Sequence, residues 1–205
     1  MKKRVHSTSY RLLLLIFLCS LSKVILADDT TTQTWEDLAQ APSGWETTPN
    51  PYPTTIEITS AAELAWVAKM VNDDEITGDG SKKGFEDVTI TLTTDLDLAA
   101  HNWIPIGKIY NQYFPPNYPF KGTFDGGNYT ISNMKVDTEY QAGLFGNISD
   151  AEITNIKFVN VTVNKTKQSN HDGIEVASGI VGVGTKSKIN NSAESKKEQS
   201  VANQL

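Results

Sequence analysis

Few residues in this chain are placed to do chemistry. Asp95 and Asp97 in "TTDLDL", and Asp125 in "TFDGG", are the carboxylates beside strand-like stretches. Polysaccharide cleavage on a sheet face would need such acids, in a pair or with calcium. A plainer reading competes at each. Asp95 and Asp97 alternate with Leu96 and Leu98, as solvated positions at a strand end do. Asp125 precedes Gly126-Gly127, where a turn aspartate belongs. Zinc-peptidase chemistry needs two histidines flanking a glutamate, as in H-E-x-x-H. The three histidines, His6, His101 and His171, have no such context. In "NDDEITGDGSKKG", Asp73, Glu75 and Gly78 fall in calcium-loop order, but Gly84 stands where the bidentate glutamate should be. These residue types favour no catalytic site, no metal site and no cofactor.

Binding is better served. "WIPIGKIYNQYFPPNYP" gathers Trp103, Tyr110, Tyr113, Phe114 and Tyr118 into one short stretch. Aromatic rings stack on sugar faces and bury large area at small entropic cost. The competing reading packs these rings over the side of the fold. Asn-x-Ser/Thr occurs at Asn128, Asn147, Asn160, Asn164 and Asn190, as composition alone gives in a chain rich in Asn and Thr.

Composition narrows the setting. The chain has 205 residues, a length for one domain after processing. Lys2, Lys3, Arg4 and Arg11 precede or open a mostly apolar run from Leu12 to Leu21, too short to span a bilayer. "VILADDTTT" follows. This is the layout of a secretory signal peptide over 1–27, cleaved after Ala27. Cleavage removes the single cysteine, Cys19, and five basic residues. The remainder has 13 basic against 24 acidic residues, a net charge of −11. That disfavours nucleic acid and anionic membranes, both of which need cationic patches. The expectation is a secreted or cell-surface protein, not an integral membrane protein once the signal is removed.

Several elements would have to position these groups. Residues 28–55 are rich in Thr and Pro and read as a linker or extended lead-in, with Trp35 and Trp45 docking on the domain. "ITSAAELAWVAKMVND" predicts a helix over 61–72, with Ser60 and Glu63 as a capping box. Val88, Ile90 and Leu92 alternate with Thr89, Thr91 and Thr93, which predicts a half-buried strand over 88–93. From Phe120 the chain repeats itself. "ISNMKV" at 131–136 returns as "ITNIKF" at 153–158 and, more weakly, as "INNSAE" at 189–194. Asn133, Asn155 and Asn191 each follow an isoleucine by two positions. Gly143-Leu144-Phe145-Gly146 and Gly179-Ile180-Val181-Gly182 precede two of the copies. Self-similarity at this period marks a solenoid, in which each unit buries its apolar face against the next. Asn tolerates left-handed backbone at a corner, and its amide can bond to the Asn above and below. The expected fold is all-β: a single-stranded parallel β-helix of one coil per 22-residue step over 120–194. Residues 56–119 would form an N-terminal cap with its α-helix and the aromatic loop, and 195–205 a polar tail, with truncation of a longer solenoid favoured.

The order of "AAELAWVAKMVN", "ITLTTDLDL", "WIPIG", "FKGTFDGGNYTISNM" and "GLFGNISDAEITNIKFVNVTV" resembles bacterial surface proteins carrying the GLUG motif. These include repeat regions of IgA-specific metallopeptidases and many proteins of gut Bacteroidetes. The resemblance covers about 56–192. It implies a β-helix at the cell surface with a role in adhesion or host contact, and it supplies no catalytic residues. The reading that follows is a non-catalytic, adhesin-like module binding a glycan or host surface protein. The alternatives are an N-terminal spacer or cap of a larger surface protein, and a polysaccharide-acting enzyme on the same solenoid.

Overall fold

Short alternating segments build most of the molecule. In β1 (Thr55–Ile58), Ile56 and Ile58 are buried while Thr55 and Glu57 are exposed. β2 (Thr89–Leu92) buries Ile90 and Leu92 in the same way, one residue shorter at each end than its sequence pattern. The strands that follow are β3 (Leu96–Asp97), β4 (Lys108–Ile109), β5 (Asn117–Tyr118), β6 (Thr123–Asp125), β7 (Thr130–Ser132), β8 (Lys135–Thr138) and β9 (Phe145–Ser149). Then come β10 (Glu152–Thr154), β11 (Lys157–Val159), β12 (Thr162–Lys165), β13 (Val181–Thr185), β14 (Lys188–Asn190) and β15 (Ala193–Glu194). The computed structural model describes residues 33–45, 53–73, 83–109, 117–138, 142–165, 179–190 and 193–194. The signal-like segment 1–27 and the tail 195–205 lie outside them.

Pairing is parallel and skips whole groups of strands. One sheet has the order β1-β2-β6-β10-β14, a second has β15-β11-β7-β3, and β8 pairs with β12 as β9 does with β13. Each strand of β6–β9 therefore lies beside the strand at the same place in β10–β13. The only antiparallel pair among the described residues is β4 with β5. Inward residues form rows across the strands: Ile56, Ile90, Phe124 and Ile153 in one, which the exposed Ile189 continues in register, and Leu96, Ile131 and Phe158 in another. With the buried face of the helix, these rows make one hydrophobic core.

This register corrects the repeat read from the sequence. Ile153 and Ile189 are neighbours, as aligned, but Ile131 is not in their row; it pairs with Phe158 and Leu96. The step between paired rows is 27 residues from Ile131 to Phe158, not 22. The cause is that the same corner chemistry is used more than once per group. Asn133 turns the chain between β7 and β8, whereas Asn155 turns it between β10 and β11. Similar hexapeptides thus sit at different corners.

The helix α1 spans Ala61–Asn72. Ser60 Oγ accepts from Glu63 N–H at 3.2 Å, and the Glu63 carboxylate accepts from Thr59 N–H at 2.6 Å, so donors at the helix entry are satisfied from both sides. Leu64, Ala65, Val67, Ala68 and Val71 are buried. Trp66 packs edge-on to Trp45 at 5.8 Å and against Phe85 at 5.9 Å. Within the lead-in, residues 33–45 are fastened to the fold. Trp35 N–H donates to Asn102 O, its indole to Leu98 O, both at 3.1 Å, and Gln40 N–H donates to Ala62 O at 3.0 Å.

Candidate functional site

The aromatic stretch divides between core and surface. Trp103 is 1% exposed and its indole donates to Leu144 O at 3.1 Å. It is a core residue, which corrects its assignment to ligand binding. A buried indole satisfies its one donor internally and presents no face to a sugar. Tyr118 is half-buried in β5, opposite Lys108. Tyr110, Tyr113 and Phe114 lie outside the described residues, as does Asn191.

What carries that stretch is well defined at its base. Ile106 and Phe120 both pair in parallel with β9, at Phe145 and Ile148. Between them the chain departs and returns as the β4–β5 pair, with Lys108 opposite Tyr118 and Ile109 opposite Asn117. Gly107 sits at the exit with φ +85°, and a Cβ there would lie 2.2 Å from Asn147 O. Gly146 is as tight: a Cβ would lie 2.4 Å from Gly107 O. Only glycine allows these two backbones to approach so closely.

The two Gly-flanked tetrapeptides lie directly side by side. Leu144 N–H donates to Gly179 O at 3.2 Å and Phe145 N–H to Ile180 O at 2.9 Å, with Phe145 opposite Val181. Leu144 and Phe145 are buried, as are Gly143, Gly146, Gly179 and Gly182; Ile180 and Val181 are half-buried. On the other side of Phe145 is Ile106, so "PIG" at 105–107 is a third member of this row that the sequence reading missed. Its signal was the apolar-Gly ending shared with "LFG" and "IVG".

Asparagine and aspartate side chains connect the corners. Asn133 has φ +55° and donates to Asp97 Oδ1 at 3.0 Å, while its own Oδ1 accepts from Asn160 at 3.1 Å. Asn155, also at φ +55°, donates to Asp125 Oδ1 at 3.0 Å. Asn164 donates to Asp137 Oδ1 at 2.8 Å. The expected ladder of Asn133 on Asn155 is thus replaced by ladders that join each to its true row neighbours. Asn133 holds the Asp97 carboxyl below its usual range, helped by the Ala99 N–H. Burial raises the Asp137 carboxyl, but hydrogen bonds from Asn164, Lys135 and Asn102 outweigh it and leave it lowered.

The strand-side acids are taken up in the same architecture. Asp125 Oδ1 also accepts from Gly127 N–H at 2.9 Å, and Asp95 Oδ1 accepts from Thr130 N–H at 2.7 Å. Asp73 pairs with Lys69 one helical turn earlier. Among the described residues, no three His, Cys, Asp or Glu side chains gather as metal ligands would.

One further buried amide escaped the sequence reading. Asn72, at the end of α1, is 2% exposed. Its Nδ2 donates to Glu36 Oε1 and to Pro105 O, each at 3.1 Å, and its Oδ1 accepts from Gly107 N–H at 2.9 Å. It thereby satisfies the backbone just where the β4–β5 hairpin leaves the sheet.

No protein-family model, curated protein or solved structure matches this chain. Among the described residues, no helix is long and apolar enough to cross a membrane.

Proposed function

We propose that this chain is an exported, non-catalytic module, folded as a single-stranded parallel β-helix with a capping helix, that contacts a host or neighbouring-cell surface component through its 108–118 hairpin. A glycan is the first partner to test. The observation that carries this reading is the hairpin's base. Among the described residues the pairing elsewhere is parallel, and the hairpin is an antiparallel insertion held at both ends by one strand, β9. A loop mounted on a rigid scaffold, and rich in Tyr and Phe, suits recognition. The engagement of Asp95, Asp97 and Asp125 in structural hydrogen bonds weighs against the enzyme reading. The resemblance to GLUG-motif surface proteins supports an exported location.

The test is binding of the full chain to an array of glycans and host-matrix proteins. Saturable binding to one related group of ligands is expected. Replacing Tyr110, Tyr113 and Phe114 together by alanine should weaken it at least about tenfold with an unchanged circular dichroism spectrum. Trp103 is left intact, because its loss would disturb the core. A well-folded protein that binds nothing on the array would overturn the reading.

A further inference from the structure

The first sheet ends differently at its two edges. β1 leads at once into α1, whose buried face joins the core beside it. β14 has β10 on one side and no strand on the other among the described residues. Lys188 N–H donates to Ala151 O and Asn190 O accepts from Asn155 N–H, so both residues turn their main chain toward β10. Alternation then points the N–H and C=O of Ile189 outward. The Ile189 side chain is 47% exposed, although Ile153 beside it in the same row is 0% exposed. A strand edge with no partner among the described residues and an apolar residue at its centre is a template for another strand.

The charge around this edge selects among strands. The chain as a whole is acidic, at −6. Val181–Asn190 nevertheless carries Lys186 and Lys188, both exposed, and no acid. On its paired side, Lys188 lies opposite Glu152, Ile189 opposite Ile153 and Asn190 opposite Thr154. That neighbour states what the edge accepts: an acid, an apolar residue and a small polar one, in that order. A second copy offering the same outer edge would pair antiparallel about Ile189 and set Lys188 opposite Asn190, so it brings no acid to Lys188.

We propose that the β14 edge accepts an extended strand from another polypeptide, with an acidic residue beside Lys188 and an apolar one beside Ile189. This is strand addition, in which main-chain bonds supply affinity and the flanking side chains supply choice. It does not depend on the hairpin or on glycan binding.

The probe is the peptide DAEITNIKFVNV, residues 150–161, which carries the sequence that already pairs with β14. Added to the full chain, it should bind saturably by fluorescence anisotropy and slow hydrogen exchange at the Ile189 amide. Lys188→Glu should weaken binding about fivefold, and the peptide with Glu152→Lys should restore it to that variant. Ile189→Asp should abolish binding, with circular dichroism confirming that each variant is folded. Absence of saturable binding overturns the proposal, and so does binding indifferent to the charge exchange. A full chain that is dimeric without peptide, with the Ile189 amide already protected, overturns it in favour of a second copy.

Discussion

Asn133 shows how one side chain can serve two needs. Its backbone is left-handed, at φ +55°, a conformation that costs most residues about 1–2 kcal/mol and costs Asn less. Its amide donates on one side, to Asp97, and accepts on the other, from Asn160. A carboxylate can only accept, so aspartate suits the end of such a ladder and not its middle. Asn133→Asp would set two carboxylates against each other. Its melting temperature should fall by roughly 5 °C at pH 7. In the wild type, Asp97 has a lowered carboxyl, so its contribution is present above about pH 4 and is lost as pH falls through the folded-state value. In the variant, repulsion raises one carboxyl, so its protonation relieves the pair at higher pH than the wild type loses its bond. Melting curves for the two proteins should therefore converge toward pH 3, and a constant gap would show that the ladder is not the cause.

At the scale of elements, α1 is tied in unevenly at its two ends. The start depends on Ser60 and Glu63, which are half-buried near solvent. The end depends on Asn72, which is buried and bonded to Glu36, Pro105 and Gly107. Water can replace the lost bond at an exposed cap, but a buried N–H and C=O left alone keep their desolvation cost. Ser60→Ala should thus cost about 1 kcal/mol, and Asn72→Ala about 2–3 kcal/mol. Urea unfolding with an unchanged m-value measures both. Equal losses would mean that the Asn72 contacts add nothing beyond ordinary capping. The same contacts join the end of the helix to the base of the hairpin.

Across the whole molecule, stability should be graded along the first sheet. β2, β6 and β10 each have a strand on both sides, and Ile90, Phe124 and Ile153 are fully buried. Among the described residues, β14 has one neighbouring strand and a half-exposed centre. Local opening costs least where few apolar contacts and few strand bonds must break. Hydrogen exchange should be slowest at the amides of Ile90 and Phe124, whose partners lie in strands paired on both sides, and fastest at Ile189. Uniform protection along the row would contradict this gradient and would mean that something covers the edge. Such a gradient also leaves the last strand able to change partners while the core holds.

The sequence alone determined the features that depend on a residue's own neighbours. The helix over 61–72, the buried alternation around Ile90 and the left-handed corners at Asn133 and Asn155 all follow from local spacing and backbone preference. So does the equivalence of the two Gly-flanked tetrapeptides, which pair with Phe145 opposite Val181. Tertiary structure decided what lies beside what. Ile131 joined Leu96 and Phe158 because corner motifs recur within a group of strands as well as between groups, so sequence likeness alone could not choose the partner. Trp103 went inside because the row formed by Ile106, Phe145 and Val181 placed Leu144 O within reach of its indole. Asn72 found its role only when the helix end met the backbone of Pro105 and Gly107, a meeting that no local pattern encodes.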